Sequence, residues 1–320
     1  MNKLYICVPK VKTTMLSILI PEFNYDCSKL VCDLAKQCHQ ANIVFEVIVL
    51  DDASTLFKNE NRKISEISGC SFVESELNLG SAETRNKLAR MAKYPHLLMI
   101  DCDAEVDDKQ YIQHYLDVMD QSQVIIGGIR YSLEKPSSDH ILRWYYGKNR
   151  ECMAARKRNK NPYKSLLSFN LMIDRDVMMK CPYELFKDYG HEDSVMGFNF
   201  KKHGIKVLHI DNPLIHNGLD TNEDFLKKSL KAVEKYLTNA VFQSDELVSQ
   251  IKIFRIFRLV QNLGLCKLFA FKFRIAGNYM KKNLYGKHPS LFLFDIYRLS
   301  YLCNLSLSQQ KTAPTKNSQR

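Results

Sequence analysis

Two carboxylates spaced one residue apart close an apolar run: Leu97-Leu98-Met99-Ile100 leads directly into Asp101-Cys102-Asp103. Four consecutive large apolar residues fit a strand buried on both faces, as in a parallel sheet covered by helices. In an extended segment residues i and i+2 point the same way, so Asp101 and Asp103 are expected to converge on one small volume while Cys102 faces elsewhere. Ligands of open α/β sheets bind at that carboxyl edge. Two hard oxygen ligands suit Mg²⁺ or Mn²⁺, whose usual companion is a diphosphate. The plainer alternative is a strand followed by an acidic helix cap.

The elements needed to present this pair are legible on either side of it. Leu16–Ile20 reads as a strand stopped by Pro21, followed by a loop and a helix over 28–42. Phe45–Leu50 is a second strand that also ends in acids, Asp51-Asp52. A helix over 59–68, a strand over 71–73, the loop Asn78-Leu79-Gly80 and a helix over 81–92 lead into the strand before Asp101. This β-α alternation predicts a parallel sheet. Downstream, the pattern predicts a helix over 109–119 and strands over 124–129, 168–173 and 206–210. It adds a helix over 195–203 closed by Gly204.

Ser17-Ile18-Leu19-Ile20-Pro21-Glu22-Phe23-Asn24, Val47–Thr55 with Asp51-Asp52, Asn78-Leu79-Gly80 with Arg85-Asn86, and Asp101-Cys102-Asp103 occur in an order and spacing that resemble the family 2 glycosyltransferases. The resemblance covers about residues 15–220. It implies a GT-A nucleotide-diphospho-sugar fold of α/β class with a mostly parallel central sheet. One departure is Glu22, where the family usually carries a small hydroxyl residue. The resemblance further implies nucleotide-sugar contacts from Pro21, Asp51, Asp52, Asn78, Arg85 and Asp101, with Asp51 as the base-binding acid and Asp52 behind it. A divalent cation, Mn²⁺ or Mg²⁺, would be held by Asp103 with Asp101 and His216. Asn78 and Gly80 suit an unusual backbone turn.

In Gly190-His191-Glu192-Asp193-Ser194, the residues alone allow an ordinary helix cap, at Asp193 or Ser194. The resemblance makes Asp193 the catalytic base of an inverting enzyme and Glu192 a contact for acceptor hydroxyls. Asn170 is the matching candidate on the acceptor side. The reaction implied is transfer of a sugar from a nucleotide-diphospho-sugar, UDP-linked, to a hydroxyl of a glycan acceptor.

The net charge of +11 on 320 residues implies an anionic partner. Residues 140–164 carry eight Lys/Arg against one Glu, and residues 247–294 carry nine with no acid. The stretch Arg143–Lys164 reads either as a solvated loop or as one that closes on phosphates or an anionic acceptor. After Asp220 the α/β alternation stops, and helices are expected over 222–238 and 245–263. The division predicted is a catalytic domain over 15–220, a basic amphipathic helical extension over 221–305 and a disordered tail over 306–320. Lys252, Arg255 and Arg258 among Ile251, Phe254, Ile256, Phe257, Leu259 and Val260 allow two readings: helices packed on the catalytic domain, or helices lying on an anionic membrane surface. Phe269–Arg274 and Leu291–Phe294 favour the second. No run reaches the ~20 apolar residues of a spanning helix. Residues 1–14 read as a lead-in strand or loose terminus, with no signal peptide, and the ten cysteines have no zinc-site spacing. The expectation from these features is a cytoplasmic chain, peripheral on the inner face of the membrane; the resemblance adds a lipid-linked glycan acceptor in surface polysaccharide synthesis. A sugar nucleotidyltransferase would need a Gly-rich basic loop where Pro21–Asn24 stands. A nucleic-acid binder would interleave aromatic and basic residues on a sheet, so no nucleic-acid partner is expected. A non-catalytic anion-binding protein would not need Asp101, Asp103 and Asp193 together.

Overall fold

The structure, a computed structural model, describes residues 14–186 and 190–312, with side chains described as far as residue 309. Residues 1–13 and 313–320, on which the lead-in strand and most of the tail were expected, lie outside it.

A seven-stranded sheet forms the centre. Its strands are β1 (Met15–Glu22), β2 (Val44–Asp51), β3 (Cys70–Glu74), β4 (His96–Ile100), β6 (Val124–Ile126), β8 (Asn170–Asp174) and β9 (Val207–His209). They lie in the order β3-β2-β1-β4-β8-β6-β9, and only β8 runs against its neighbours. A second sheet of three strands combines β5 (Ala104–Glu105), β7 (Ile129–Arg130) and β10 (Leu214–His216).

The unbroken apolar runs have a simple cause. Alternate residues of each strand enter different cores: Leu16, Ile18, Val47, Val49, Leu98 and Ile100 face one, and Leu19, Ile48, Leu50, Leu97 and Met99 face the other. The helices of the first 130 residues are α1 (Ser28–Gln40), α2 (Lys58–Arg62), α3 (Ser81–Met91) and α4 (Tyr111–Leu116). Next come α5 (Ile141–Arg150), α6 (Ala155–Arg158), α7 (Arg175–Lys180) and α8 (Glu192–Lys202). The first core is closed by α1 and α4, through Leu34 and Tyr115, and the second by α3, α7 and α8, through Leu88, Met178 and Phe200.

The structure corrects several sequence expectations. The single strand over 124–129 is two strands, because the chain changes sheets at Gly127-Gly128. A Cβ on Gly127 would stand 2.5 Å from the Asn170 side chain, and Gly128 has φ +102°. Arg143–Lys164 is no loop: it folds into α5 and α6. There the buried Arg158 guanidinium donates to the carbonyls of Ile126 (3.1 Å), Gly127 (3.1 Å) and Ile210 (2.6 Å), tying β6 to the chain after β9. Arg143 pairs with Glu151 at 3.1 Å. These two arginines stabilise the fold and do not reach for a ligand.

The remaining helices are α9 (Asn222–Thr238), α10 (Asp245–Gln250), α11 (Lys252–Asn262), α12 (Cys266–Leu284) and α13 (Leu291–Thr312). The helix expected over 245–263 breaks at the extended, buried Ile251. Phe254, Phe257 and Val260 of α11 are buried among Val233, Phe242 and Leu302. The bulky face of that helix is therefore an interior surface, not a membrane-facing one. Arg258 also turns inward, donating to Tyr236 Oη at 2.9 Å. Residues 306–312, expected to be disordered, continue α13, whose Leu299, Leu302 and Cys303 anchor it in the same core. Among the described residues no helix is long and apolar enough to cross a membrane.

Candidate active site

A cleft of about 450 Å³ opens at the carboxyl edge of β1, β2 and β4. Each strand end contributes to its wall: Pro21 and Glu22 from β1, Asp52 after β2, and Asp101–Asp103 after β4. Asn78 enters from the segment that leads into α3, and Arg85 from the second turn of α3 itself.

The two central acids meet by a route different from the one the spacing suggested. Asp101–Asp103 is not extended. The Ala104 N–H donates to the Asp101 carbonyl at 3.1 Å, closing a tight turn, and Cys102 lines the cleft with its neighbours. Asp101 forms an ion pair with Arg85, and Asp103 Oδ2 lies 3.2 Å from His216 Nε2. His216 arrives on β10, which pairs with β5 directly after Asp103, so the small sheet is what joins these distant residues. Its ring is held between Tyr131 and Phe169, each 5.3 Å away between centroids.

The carboxylate–imidazole pair fits a divalent cation. Asp103 Oδ1 is buried without a hydrogen-bond partner, which is costly unless a ligand satisfies it. Oxygen with imidazole nitrogen is a donor set suited to Mn²⁺. A Cβ on Gly218 would collide with the Asp103 carboxylate, so only glycine lets the chain after β10 pass so close. Among the described residues no group of three or more His, Cys, Asp and Glu side chains could hold a metal ion. Further ligands would therefore come from the substrate or water.

The roles expected of Asp51 and Asp52 are reversed in space. Asp51 is wholly buried; it accepts from the Ser54 N–H at 2.7 Å and pairs with Lys58 at 3.4 Å, away from the cleft. Asp52 is the one on the cleft wall. Its two oxygens accept from the N–H groups of Leu79 (2.5 Å) and Gly80 (2.9 Å), while Asn78 Nδ2 donates to the Asp52 carbonyl at 3.0 Å. Asp52 and Asn78 thus fix the loop before α3, whose Gly80 has φ +80°.

Glu22 has a related purpose. Its carboxyl accepts from the Tyr25 N–H at 2.8 Å and the Ser54 hydroxyl at 3.2 Å, joining the loops after β1 and β2. Burial, aided by the nearby Asp51, lifts Glu22 to about 7.

Asp193 lies in the first turn of α8, and the residue capping that helix is His191, with φ 68°, rather than Asp193 or Ser194. One Asp193 oxygen accepts from the Ser168 hydroxyl and the other from the Ser168 N–H at 3.3 Å. Burial raises Asp193 to about 6, although Ser168 and the Arg85 cation act the other way. Burial also works against the charge on Arg85, but Asp101, Tyr183 and Asp193 more than offset it and keep it cationic. Arg85 rests over the Tyr183 ring, 5.7 Å from its centroid. Arg85 therefore electrostatically links the Asp101 side of the cleft to Asp193.

Two expected acceptor contacts are spent inside the protein. Asn170 is buried, and its carbonyl oxygen accepts from Tyr111 Oη (2.7 Å) and Tyr115 Oη (2.6 Å). Its amide donates to the carbonyls of Gly128 (3.0 Å) and Asn212 (2.9 Å), so all four hydrogen-bonding positions are filled. Glu192 accepts from the Gly190 N–H at 2.8 Å and pairs with the buried Lys235 of α9 at 3.3 Å. Neither side chain lines the cleft; Asp193 and His216 do not line it either, but they act on residues that do, Arg85 and Asp103.

Sequence reasoning missed Ser168, Tyr183, Gly218 and Lys228. Lys228 of α9 reaches the cleft wall and pairs with Asp220 at 2.7 Å. Gly218, two residues after His216, was the one with a local signal.

The description "Glycosyl transferase family 2" matches residues 17–180. No curated protein matches the sequence. Among solved structures, the chain is similar to S. aureus TarS 1-349, with 15% identity over 93% of this chain and 92% of that one and a TM-score of 0.50. It is similar to glucosyl-3-phosphoglycerate synthase from Mycobacterium tuberculosis, solved with Mn²⁺, UDP and glucosyl-3-phosphoglycerate (16% identity, 72% and 81% covered, TM-score 0.50). A third is the mannosyltransferase PcManGT from Pyrobaculum calidifontis with GDP-Man and Mn²⁺ (14% identity, 91% and 86% covered, TM-score 0.51). At such identities the likeness is one of fold.

Proposed function

The chain belongs to glycosyl transferase family 2, has a GT-A fold and is a glycosyltransferase, and on that premise we propose that it transfers a sugar from a nucleotide-diphospho-sugar to a hydroxyl of a glycan acceptor with inversion. The observation that carries this reading is that Asp101, Arg85 and Asp103 line one cleft, with His216 paired to Asp103 behind its wall and Asp193 under the charge of Arg85. UDP is the nucleotide we assign. TarS 1-349 has been solved with UDP-GlcNAc, and the mycobacterial synthase with UDP.

In this reading the donor lies along the carboxyl edge, between the loop fixed by Asp52 and the turn at Asp101. Arg85 and Lys228 supply positive charge on the cleft wall, and Pro21 closes its end. Asp103 and His216 would hold a divalent cation, which would offset the charge on the departing diphosphate. Asp193 accepts the proton of the acceptor hydroxyl as that oxygen bonds to the anomeric carbon and the carbon–phosphate-oxygen bond breaks. A base near 6 is mostly ionised at neutral pH yet still basic enough to take the proton. Ser168 holds it by donating hydrogen bonds to both of its oxygens. With Asn170 and Glu192 occupied elsewhere, we assign the acceptor to the side of the cleft nearest Asp193 and α9. The basic helical region supports an acceptor carried on a lipid at an anionic membrane surface, as surface polysaccharide synthesis would use.

The test is release of nucleoside diphosphate from a panel of UDP-, GDP- and dTDP-sugars with Mn²⁺, alongside EDTA and Asp103→Ala. One donor should support release that both controls abolish. If no donor is turned over or binds in a metal-dependent way, the pairs at the cleft are structural and the reading fails.

A further inference from the structure

The side of α12 opposite the protein core is an exposed apolar stripe. Cys266, Ala270, Gly277, Met280 and Leu284 are its buried residues. On the opposite side stand Leu268, Phe271, Ile275 and Tyr279, exposed by 47, 59, 68 and 74%. Their spacing of three, four and four residues places them in one row along the helix. Leu263 and Leu265, both exposed, extend the apolar surface through the turn at Gly264. Four side chains of this size in one contiguous row are more than the scattered apolar residues of an ordinary surface.

Cations border the stripe. At 100° per residue, Lys272 falls on one side of the row, Lys267 and Arg274 on the other, and Lys282 at its end; all four are exposed. No carboxylate occurs anywhere in residues 247–294. A second copy docked through the same face would set these cations against one another, a costly juxtaposition of like charge. An apolar centre with a purely cationic border matches the interface of an anionic bilayer, where acyl chains receive the apolar residues and headgroups receive the cations.

We propose that this face of α12 is a docking surface for an anionic lipid bilayer, with Phe271, Ile275 and Tyr279 entering the acyl boundary and Lys267, Lys272, Arg274 and Lys282 engaging the headgroups. This rests on the proposed function only for what the docked enzyme does there, and it moves the membrane contact from the bulky face of α11, which is interior, to α12.

The experiment is co-sedimentation of the full chain with phosphatidylcholine vesicles and with vesicles that also contain phosphatidylglycerol, at low and high salt. Binding should be confined to the anionic vesicles and weaken with salt. Phe271→Glu/Ile275→Glu and Lys267→Glu/Lys272→Glu should each lower partitioning by about tenfold or more, leaving vesicle-free nucleoside diphosphate release unchanged. Tyr279→Trp gives a second readout that does not depend on the glutamate variants folding: measured against the wild-type chain, whose one indole is Trp144, the emission of the introduced indole should shift to the blue on anionic vesicles alone. Absence of binding, binding that the glutamate variants do not weaken, or an unshifted emission from the Tyr279→Trp variant overturns the docking surface. So does a dimer in sedimentation velocity that the glutamate variants dissolve. Release without vesicle binding would sink this inference alone; vesicle binding without release would sink the proposed reaction alone.

Discussion

Replacing Asp193 by Asn separates its chemical from its structural worth. The carboxyl rises from 3.8 to about 6 because it is buried. At about 1.4 kcal/mol per pH unit, keeping it ionised costs the fold up to ~3 kcal/mol above pH 6. The sign follows from linkage: the folded protein holds this proton more tightly than the unfolded chain, so stability falls as pH rises from 3.8 through about 6 and is level beyond. Asp193→Asn removes that penalty, which is already net of the attraction to Arg85, but turns one of the two oxygens that accept from Ser168 into an amide donor, so melting temperature at neutral pH should change by no more than a few degrees. Activity should behave oppositely. Loss of a general base lowers turnover by about 10²–10⁴-fold. The wild-type rate of nucleoside diphosphate release should fall below about pH 6, an acid limb that the variant lacks. A variant that keeps more than about a tenth of the rate, or keeps the limb, refutes Asp193 as the base. A variant that loses activity together with several degrees of stability assigns Asp193 to the fold instead.

Glu22→Gln keeps the side-chain carbonyl that accepts from Tyr25 but cannot ionise. Since folded Glu22 titrates near 7 against an ordinary 4.5, the wild type should lose stability as pH climbs through that window and the variant should not; melting curves across it decide the matter. Asn170→Ala takes away the side-chain partner of Tyr111 Oη and of two carbonyls and leaves Tyr115 Oη only its 3.4 Å bond to the residue-170 carbonyl, and is expected to cost about 3 kcal/mol or more in denaturant unfolding. Unchanged stability with a raised KM for acceptor would instead restore Asn170 to the acceptor side. Gly218→Ala pushes a methyl group against Asp103, so half-saturation for Mn²⁺ in the release assay should rise about tenfold while the far-ultraviolet circular dichroism stays native; unchanged Mn²⁺ dependence would mean that Asp103 is not a metal ligand.

The sequence alone determined the parallel sheet and the edge at which the cleft lies. Both are local consequences: Leu16–Ile20, Val47–Leu50 and Leu97–Ile100 are apolar at nearly every position because each strand feeds two cores, and each run ends where polar residues begin. It also named Asp101 and Asp103 from their spacing at a strand end, and Arg85 and His216 by resemblance to a family. Tertiary structure decided which polar residues remain available for chemistry. Asp51 and Asp52 are adjacent and chemically identical, and only the approach of Ser54, Lys58 and the Leu79-Gly80 backbone assigns one to the interior and the other to the cleft. Asn170 and Glu192 lose their expected roles to Tyr111, Tyr115 and Lys235, partners up to 59 residues away. The same holds for the helical region, where period and charge marked amphipathic helices but not which of their faces is interior. Burial and hydrogen-bond saturation depend on what the rest of the chain brings to a residue, and sequence spacing carries no record of that.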